Sequence, residues 1–240
     1  MKHQPGPKTA SQLSDSHEPL YQALLTAIVE HQLPPGSRLP EEALAAAFGV
    51  SRTGIRQVLQ RLAAGQMIVL TPRRGAQVAS PDAQEARDIF HTRALLEGAN
   101  LPAVMAACQP PHLAALEQIV EEERQAHQQH NGAAAIRRSA AFHIQLQAIA
   151  GNPVLTELVM GLTQRSSLVI AAWGAPWQQG CRCDHHHRLV EELRARRLAS
   201  LTDAMQQHFQ HILASLRFAR GGETLPDFSR LFAHKGVPHP

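Results

Sequence analysis

Residues 41–62 read EEALAAAFGVSRTGIRQVLQRL, and this stretch decides the fold. Leu44, Ala45 and Phe48 fall on one face of a short helix over 41–48, and Gly49-Val50 makes a tight turn. Ser51 is a good N-cap for the next helix, which carries Ile55, Val58, Leu59 and Leu62 at helical spacing. Upstream, Leu20, Leu24, Leu25, Ile28 and Val29 recur with the same period from about Glu18, until Pro34-Pro35-Gly36 ends the helix. Downstream, Met67 to Leu70 is an apolar run of strand length, Pro72-Arg73-Arg74-Gly75 is a turn, and Ala76 to Ala79 can return antiparallel. Helix, helix, turn, helix, hairpin is the order of a winged helix-turn-helix, placed at residues 18–80.

Beyond Ser80-Pro81 the periodicity is helical throughout, with no strand alternation. Candidate helices run over about 83–107, 111–130, 133–150, 153–172, 184–196 and 198–220. The breaks fall at Pro110-Pro111, Gly132, Gly151-Asn152-Pro153 and Gly174 to Gly180. Six helices of this length predict an all-α antiparallel bundle at 84–220, so the fold class is mainly α with one small β-hairpin. The ends, residues 1–17 and 221–240, are rich in Pro, Gly and polar residues and read as flexible tails.

Of the 240 residues, 44% are apolar and 4% aromatic, so the core is built mainly from Leu, Ala, Val and Ile. No apolar run is long enough for a membrane span, and the first residues hold no apolar signal segment. Three cysteines give no disulfide framework, and a reducing cytoplasmic location is the expectation. The net charge of +3 is uneven: residues 1–80 carry 8 Lys and Arg against 5 Asp and Glu, and the remainder 15 against 15. Val50 to Gly75 holds five arginines and no acid, whereas 12 of the 15 histidines follow residue 80. One part is basic and the other rich in imidazole.

A helix-turn-helix lays the start of its second helix against base edges in the major groove. Here that start is Ser51, Arg52, Thr53 and Arg56. Arginine can grip guanine O6 and N7 with two hydrogen bonds. Ser51 and Thr53 can donate to phosphates, as can the helix N-terminus itself. Arg73 and Arg74 at the hairpin tip would reach the minor groove or the backbone. The alternative for scattered arginines is a solvated basic face, which the absence of acids over this stretch disfavours.

The residues Leu33-Pro34-Pro35-Gly36-Ser37-Arg38-Leu39, Glu41, Leu44-Ala45, Phe48-Gly49-Val50-Ser51-Arg52-Thr53, Arg56, Leu59, Leu62 and Arg74-Gly75…Val78 together resemble the GntR family of bacterial transcription regulators. The resemblance adds Arg38 and Gly75 to the DNA-contacting set. Two positions depart from it: Gly54 stands where the family usually has Pro, and Gln57 where an acid follows the second arginine of the helix. Neither removes a base-reading side chain.

The helical part resembles the FCD ligand-binding domain of the FadR-like subgroup, through Arg93-Ala94-Leu95-Leu96-Glu97, Phe142-His143 with Gly151-Asn152, His186 with Leu189 and Leu193, and Ala204-Met205 with His208. That resemblance implies a divalent metal such as zinc, held by His143, His186 and His208, and an effector bound near Arg93, Ser139 and Asn152. The family's Asp ligand belongs one helical turn before His143, where this chain has Ser139. Three imidazoles can hold zinc with open positions for water or ligand. A histidine on an apolar helix face is otherwise a core residue, and Cys181, Cys183, His185, His186 and His187 form a rival soft-ligand cluster. The implied effector is a small carboxylate, acyl-coenzyme A being the other ligand known for such domains.

No GxSxG, P-loop or HExxH is present, so an enzyme finds little support. The expected function is a ligand-responsive, sequence-specific transcription regulator. It is expected to act as a repressor and as a homodimer on a pseudo-palindromic operator. The alternative is a metal-dependent enzyme or metal-buffering protein built on the helical part.

Overall fold

A computed structural model describes residues 17–174 and 183–218. Helix α1 (Glu18–Val29), strand β1 (Arg38–Leu39), α2 (Glu41–Phe48), α3 (Arg52–Ala64), β2 (Ile68–Thr71) and β3 (Gly75–Val78) make the N-terminal unit. Gly49 closes α2 in the left-handed region, at φ 64°, which turns the chain tightly into α3. Ser51 caps α3 by accepting a hydrogen bond from the Gly54 amide at 3.2 Å. The inward faces of the three helices bury Leu24, Ile28, Leu44, Ile55, Leu59 and Leu62 in one core.

The expected hairpin is the larger part of a three-stranded antiparallel sheet of order β1-β3-β2. Arg38 pairs with Gln77 and Leu39 with Ala76. Two residues after a Pro-Pro-Gly turn give no alternation pattern, so this strand exists only because β3 offers it a free edge.

The C-terminal unit is α4 (Ala83–Ala107), α5 (Pro110–Gln128), α6 (Gly132–Ala148), α7 (Pro153–Trp173), α8 (Cys183–Arg194) and α9 (Leu198–Ser215). Three of these starts have a side-chain cap. Asp82 accepts from the Gln84 and Glu85 amides, Asn131 from Ala134 and Asn152 from Leu155. The last helix ends at Ser215, before the expected 220, because Leu216 turns extended and the Arg217 amide donates to the Trp173 carbonyl at 2.8 Å. Among the described residues no helix is long and apolar enough to cross a membrane. Both tails and Cys181 lie outside the described residues, apart from His17.

The two units meet along α7. Leu168 of α7 is 1% exposed and belongs to the N-terminal core. His31 Nε2 lies 2.8 Å from the Ser167 carbonyl, and Arg137 of α6 pairs with Glu30.

Candidate effector site and nucleic-acid interface

Five helices bring polar side chains into the apolar middle of the C-terminal unit. Arg93 and Glu97 are one turn apart on α4, with Arg93 Nε 2.9 Å from Glu97 Oε1. Glu123 comes from α5, His143 from α6, His186 from α8 and His208 from α9; all are buried. His143 Nδ1 lies 2.6 Å from Glu97 Oε2, and His186 Nδ1 2.6 Å from Glu123 Oε2. Phe142 stacks on His186 with ring centroids 4.3 Å apart, and Phe209 on His143 at 5.5 Å. The rings of His143 and His186 are thus each fixed by a carboxylate at one edge and an aromatic face.

These contacts set the tautomers. Burial would raise the Glu97 carboxyl, but Arg93 and His143 outweigh it and hold it at about 2. An ionised carboxylate only accepts, so His143 Nδ1 carries the proton and its Nε2 presents a lone pair. The same geometry at Glu123 turns the His186 Nε2 lone pair inward. Burial pushes the His143 imidazole down to about 4 despite Glu97, and burial with the neighbouring imidazoles pushes His208 well below its ordinary value.

The three Nε2 atoms converge. His143 Nε2 is 3.0 Å from that of His208 and 3.2 Å from that of His186. Two lone pairs facing each other at 3.2 Å repel unless a cation lies between them. Ligands of a tetrahedral zinc at ~2.05 Å stand roughly 3.3 Å apart, so the donor set and its spacing suit that ion. His143, His186 and His208 are a group that could hold a metal.

Beside the imidazoles opens a cavity of about 40 Å³. Arg93, Glu123, Ser139, His143, Thr163 and Ser167 line it. Arg93 Nη1 donates to Ser166 Oγ at 3.1 Å. Arg93 Nη2, Thr163 Oγ1 and Glu123 Oε1 are buried with no hydrogen-bond partner among the described residues.

The structure therefore brings Arg93, Ser139 and the three histidines to one place, and leaves Asn152 out. Asn152 is the exposed N-cap of α7, its side chain holding the Leu155 amide at 3.1 Å. It is not among the residues that line the cavity. Of the rival cluster, His186 turns into the core while His187 faces outward beside Glu191 at 3.3 Å. The Cys183 side chain lies outside the description.

Sequence reasoning missed Glu97 and Glu123 as partners of the imidazoles. Glu123 sits in the run Glu121-Glu122-Glu123-Arg124, which reads as a solvated face. Its spacing from Leu116 and Val120, which puts all three on one buried helix face, was the signal available.

On the N-terminal unit, Ser51, Arg52, Thr53 and Arg56 are exposed at the start of α3. Arg38 is exposed on β1, Arg73 and Arg74 on the tip between β2 and β3, and Gly75 at the start of β3. The expectation of uncompensated arginines needs correction. Arg52 pairs with Glu42 at 2.8 Å, Arg56 grips Glu41 through Nε and Nη2 at 3.2 and 2.8 Å, and Arg61 pairs with Glu18 at 2.8 Å. The acids come from the first turns of α1 and α2, outside the basic stretch, and helix packing alone brings them across. These pairs are exposed, hence weak and displaceable.

The profile of the bacterial regulatory proteins of the gntR family matches residues 17–78, and that of the FCD domain residues 88–211. The chain is 28% identical over 199 residues to the Nta operon transcriptional regulator of Aminobacter aminovorans, covering 80% of this chain and 91% of that protein. It is 26% identical over 195 residues to the HTH-type transcriptional regulator YdhC of Bacillus subtilis (strain 168), covering 80% and 86%. Two solved structures share the fold. A GntR regulator from Rhodococcus sp. RHA1 superposes with TM-score 0.74 at 19% identity over 85% of this chain and 97% of that one. The E. coli protein McbR/YncC superposes with TM-score 0.72 at 20% identity over 84% and 95%. With the winged helix, the FCD domain and these relatives agreeing, the chain belongs to the GntR family, FadR-like subgroup, as a ligand-responsive DNA-binding transcription regulator and not an enzyme.

Proposed function

We propose that this regulator is a metal-dependent repressor that senses a small carboxylate. His143, His186 and His208 would hold one divalent ion such as zinc, and the effector carboxylate would meet the ion's open positions and Arg93. The observation that carries this reading is the convergence of three Nε2 atoms, two of them on rings whose Nδ1 faces a buried glutamate. Such carboxylate–histidine pairs orient metal ligands and make them more basic. Here they also supply the negative charge that Ser139 withholds from the ligand set. A cavity of about 40 Å³ favours a small acid over an acyl-coenzyme A.

Residues 18–80 would read DNA and residues 84–220 sense the effector and dimerise. Arg52 and Arg56 would leave their glutamates for bases, Ser51 and Thr53 would contact phosphate, and Arg38, Arg73, Arg74 and Gly75 would follow the backbone or minor groove. The exposed Leu95 of α4 and Val154 and Leu158 of α7 support a homodimer formed through the helical unit. Two-fold symmetry would match a pseudo-palindromic operator.

The test is metal content by plasma mass spectrometry, with binding to an operator selected from random DNA. About one ion per chain is expected in wild type and little in His143→Ala, with operator affinity changing when carboxylate is added to the metal-loaded form. A wild type that retains no ion after incubation with zinc overturns the reading.

A further inference from the structure

Imidazoles continue outward from the buried trio. His208 and His211 stand about one turn apart on α9, and His185 of α8 packs against both, with ring centroids 6.0 and 4.8 Å away. On its inner side His208 lies 4.9 Å from His143. Exposure rises along this file: His143 and His208 are buried, His185 is half-buried and His211 is exposed. Neighbouring residues leave a helix roughly 100° apart, so His186 reaches the core of the helical unit while His185 stays at its margin.

Spacing separates a shared ion from a mere ring contact. Two imidazoles on one tetrahedral ion at ~2.05 Å bring their centroids to roughly 5 Å. The buried trio keeps 5.1, 4.9 and 5.0 Å, and His185 with His211 keeps 4.8 Å. The 6.0 Å between His185 and His208 is too wide to share an ion and short enough for a step between two sites. We propose that His185 and His211 form a second transition-metal site at the surface, which captures the ion and loads the buried trio between α8 and α9. Imidazole nitrogens select zinc, nickel or copper over magnesium and calcium. Two protein ligands with water in the other positions hold the ion less tightly than three, so the ion moves inward downhill. The loading role rests on His143, His186 and His208 being a metal centre; the surface pair as a binding site does not.

The test uses full-length protein stripped by chelator, titrated with zinc by calorimetry, and timed for zinc uptake from a chromophoric chelator. Wild type should bind one tight and one weak ion per chain. His211→Gln should lose the weak ion, keep the affinity of the tight one, and take up zinc several-fold more slowly. His185→Gln should do the same, and serves if the α9 variant fails to fold. His143→Ala should lose the tight ion and keep the weak one. A single tight ion in wild type overturns the inference and leaves the buried centre standing. So does a weak ion that persists in both glutamine variants, or zinc uptake as fast in them as in wild type. A weak ion without a tight one overturns the buried centre, and the loading role with it.

Discussion

At Ser139 a single side chain separates this site from the pattern its family resemblance implies. The residue lies one turn before His143 on α6 and lines the cavity. Ser139→Asp should place an anionic oxygen beside the imidazoles and tighten zinc, measured by competition with a chromophoric chelator. An unchanged affinity would mean that the two glutamates already satisfy the ion. The same buried rings make the chelated protein acid-sensitive. His143 is held at about 4 in the folded chain against an ordinary 6.5, so below pH ~6.5 the unfolded chain binds protons that the folded chain refuses. Stability of the metal-free protein should fall as pH drops from about 6.5 toward 4, and thermal unfolding across that window checks it. For DNA, Arg52→Ala and Arg56→Ala should each weaken operator binding roughly tenfold with relaxed base preference, while Arg73→Ala weakens all sequences alike and flattens the salt slope. Operator affinity unchanged in both helix variants would remove α3 from the groove.

Within α3, Gly54 shows how an element absorbs a departure from its family's pattern. Its amide caps onto Ser51, a bond that Pro could not make, and a Cβ built there would sit 2.3 Å from His17 Nε2. The glycine therefore makes room for the ring that precedes α1, at the expense of helix propensity. Gly54→Ala alone should not stabilise the protein. Combined with His17→Ala it should gain up to about 1 kcal/mol relative to His17→Ala, read as a double-mutant cycle by chemical denaturation. Gly54→Ala stabilising the wild-type background by that amount would show that the ring moves aside freely.

For the whole molecule, α7 is shared property. One face lines the cavity through Thr163, Ser166 and Ser167, and Leu168 is a member of the N-terminal core. The His31 contact falls on the carbonyl of Ser167 itself, so a shift of α7 against a ligand would act on that contact with the N-terminal unit. Leu168→Ala should cost about 2–5 kcal/mol, as other large-to-small core changes do, and should blunt the effect of effector on operator binding. A variant that loses stability but keeps full effector response would place the coupling elsewhere. Residues 81–240 alone should still sediment as a dimer, with residues 1–80 monomeric and less stable for want of Leu168.

Order and kind of element were legible in the chain because they follow from spacings of three and four residues and from caps next to them. The winged helix, the exposed start of α3 and the six later helices all rest on such local signals. The three histidines were found as a set through resemblance, since nothing local joins residues 43 and 22 positions apart. What only the tertiary structure decided is pairing across helices. It set Glu97 and Glu123 against the imidazoles and Glu41 and Glu42 against Arg56 and Arg52, and it left Asn152 away from the cavity. It also gave β1 its partner and Leu168 to the other unit. The physical reason is the same in each case: a charge or an edge shows in the sequence only as a residue type, and its partner is chosen by helix packing, which sequence spacing does not encode.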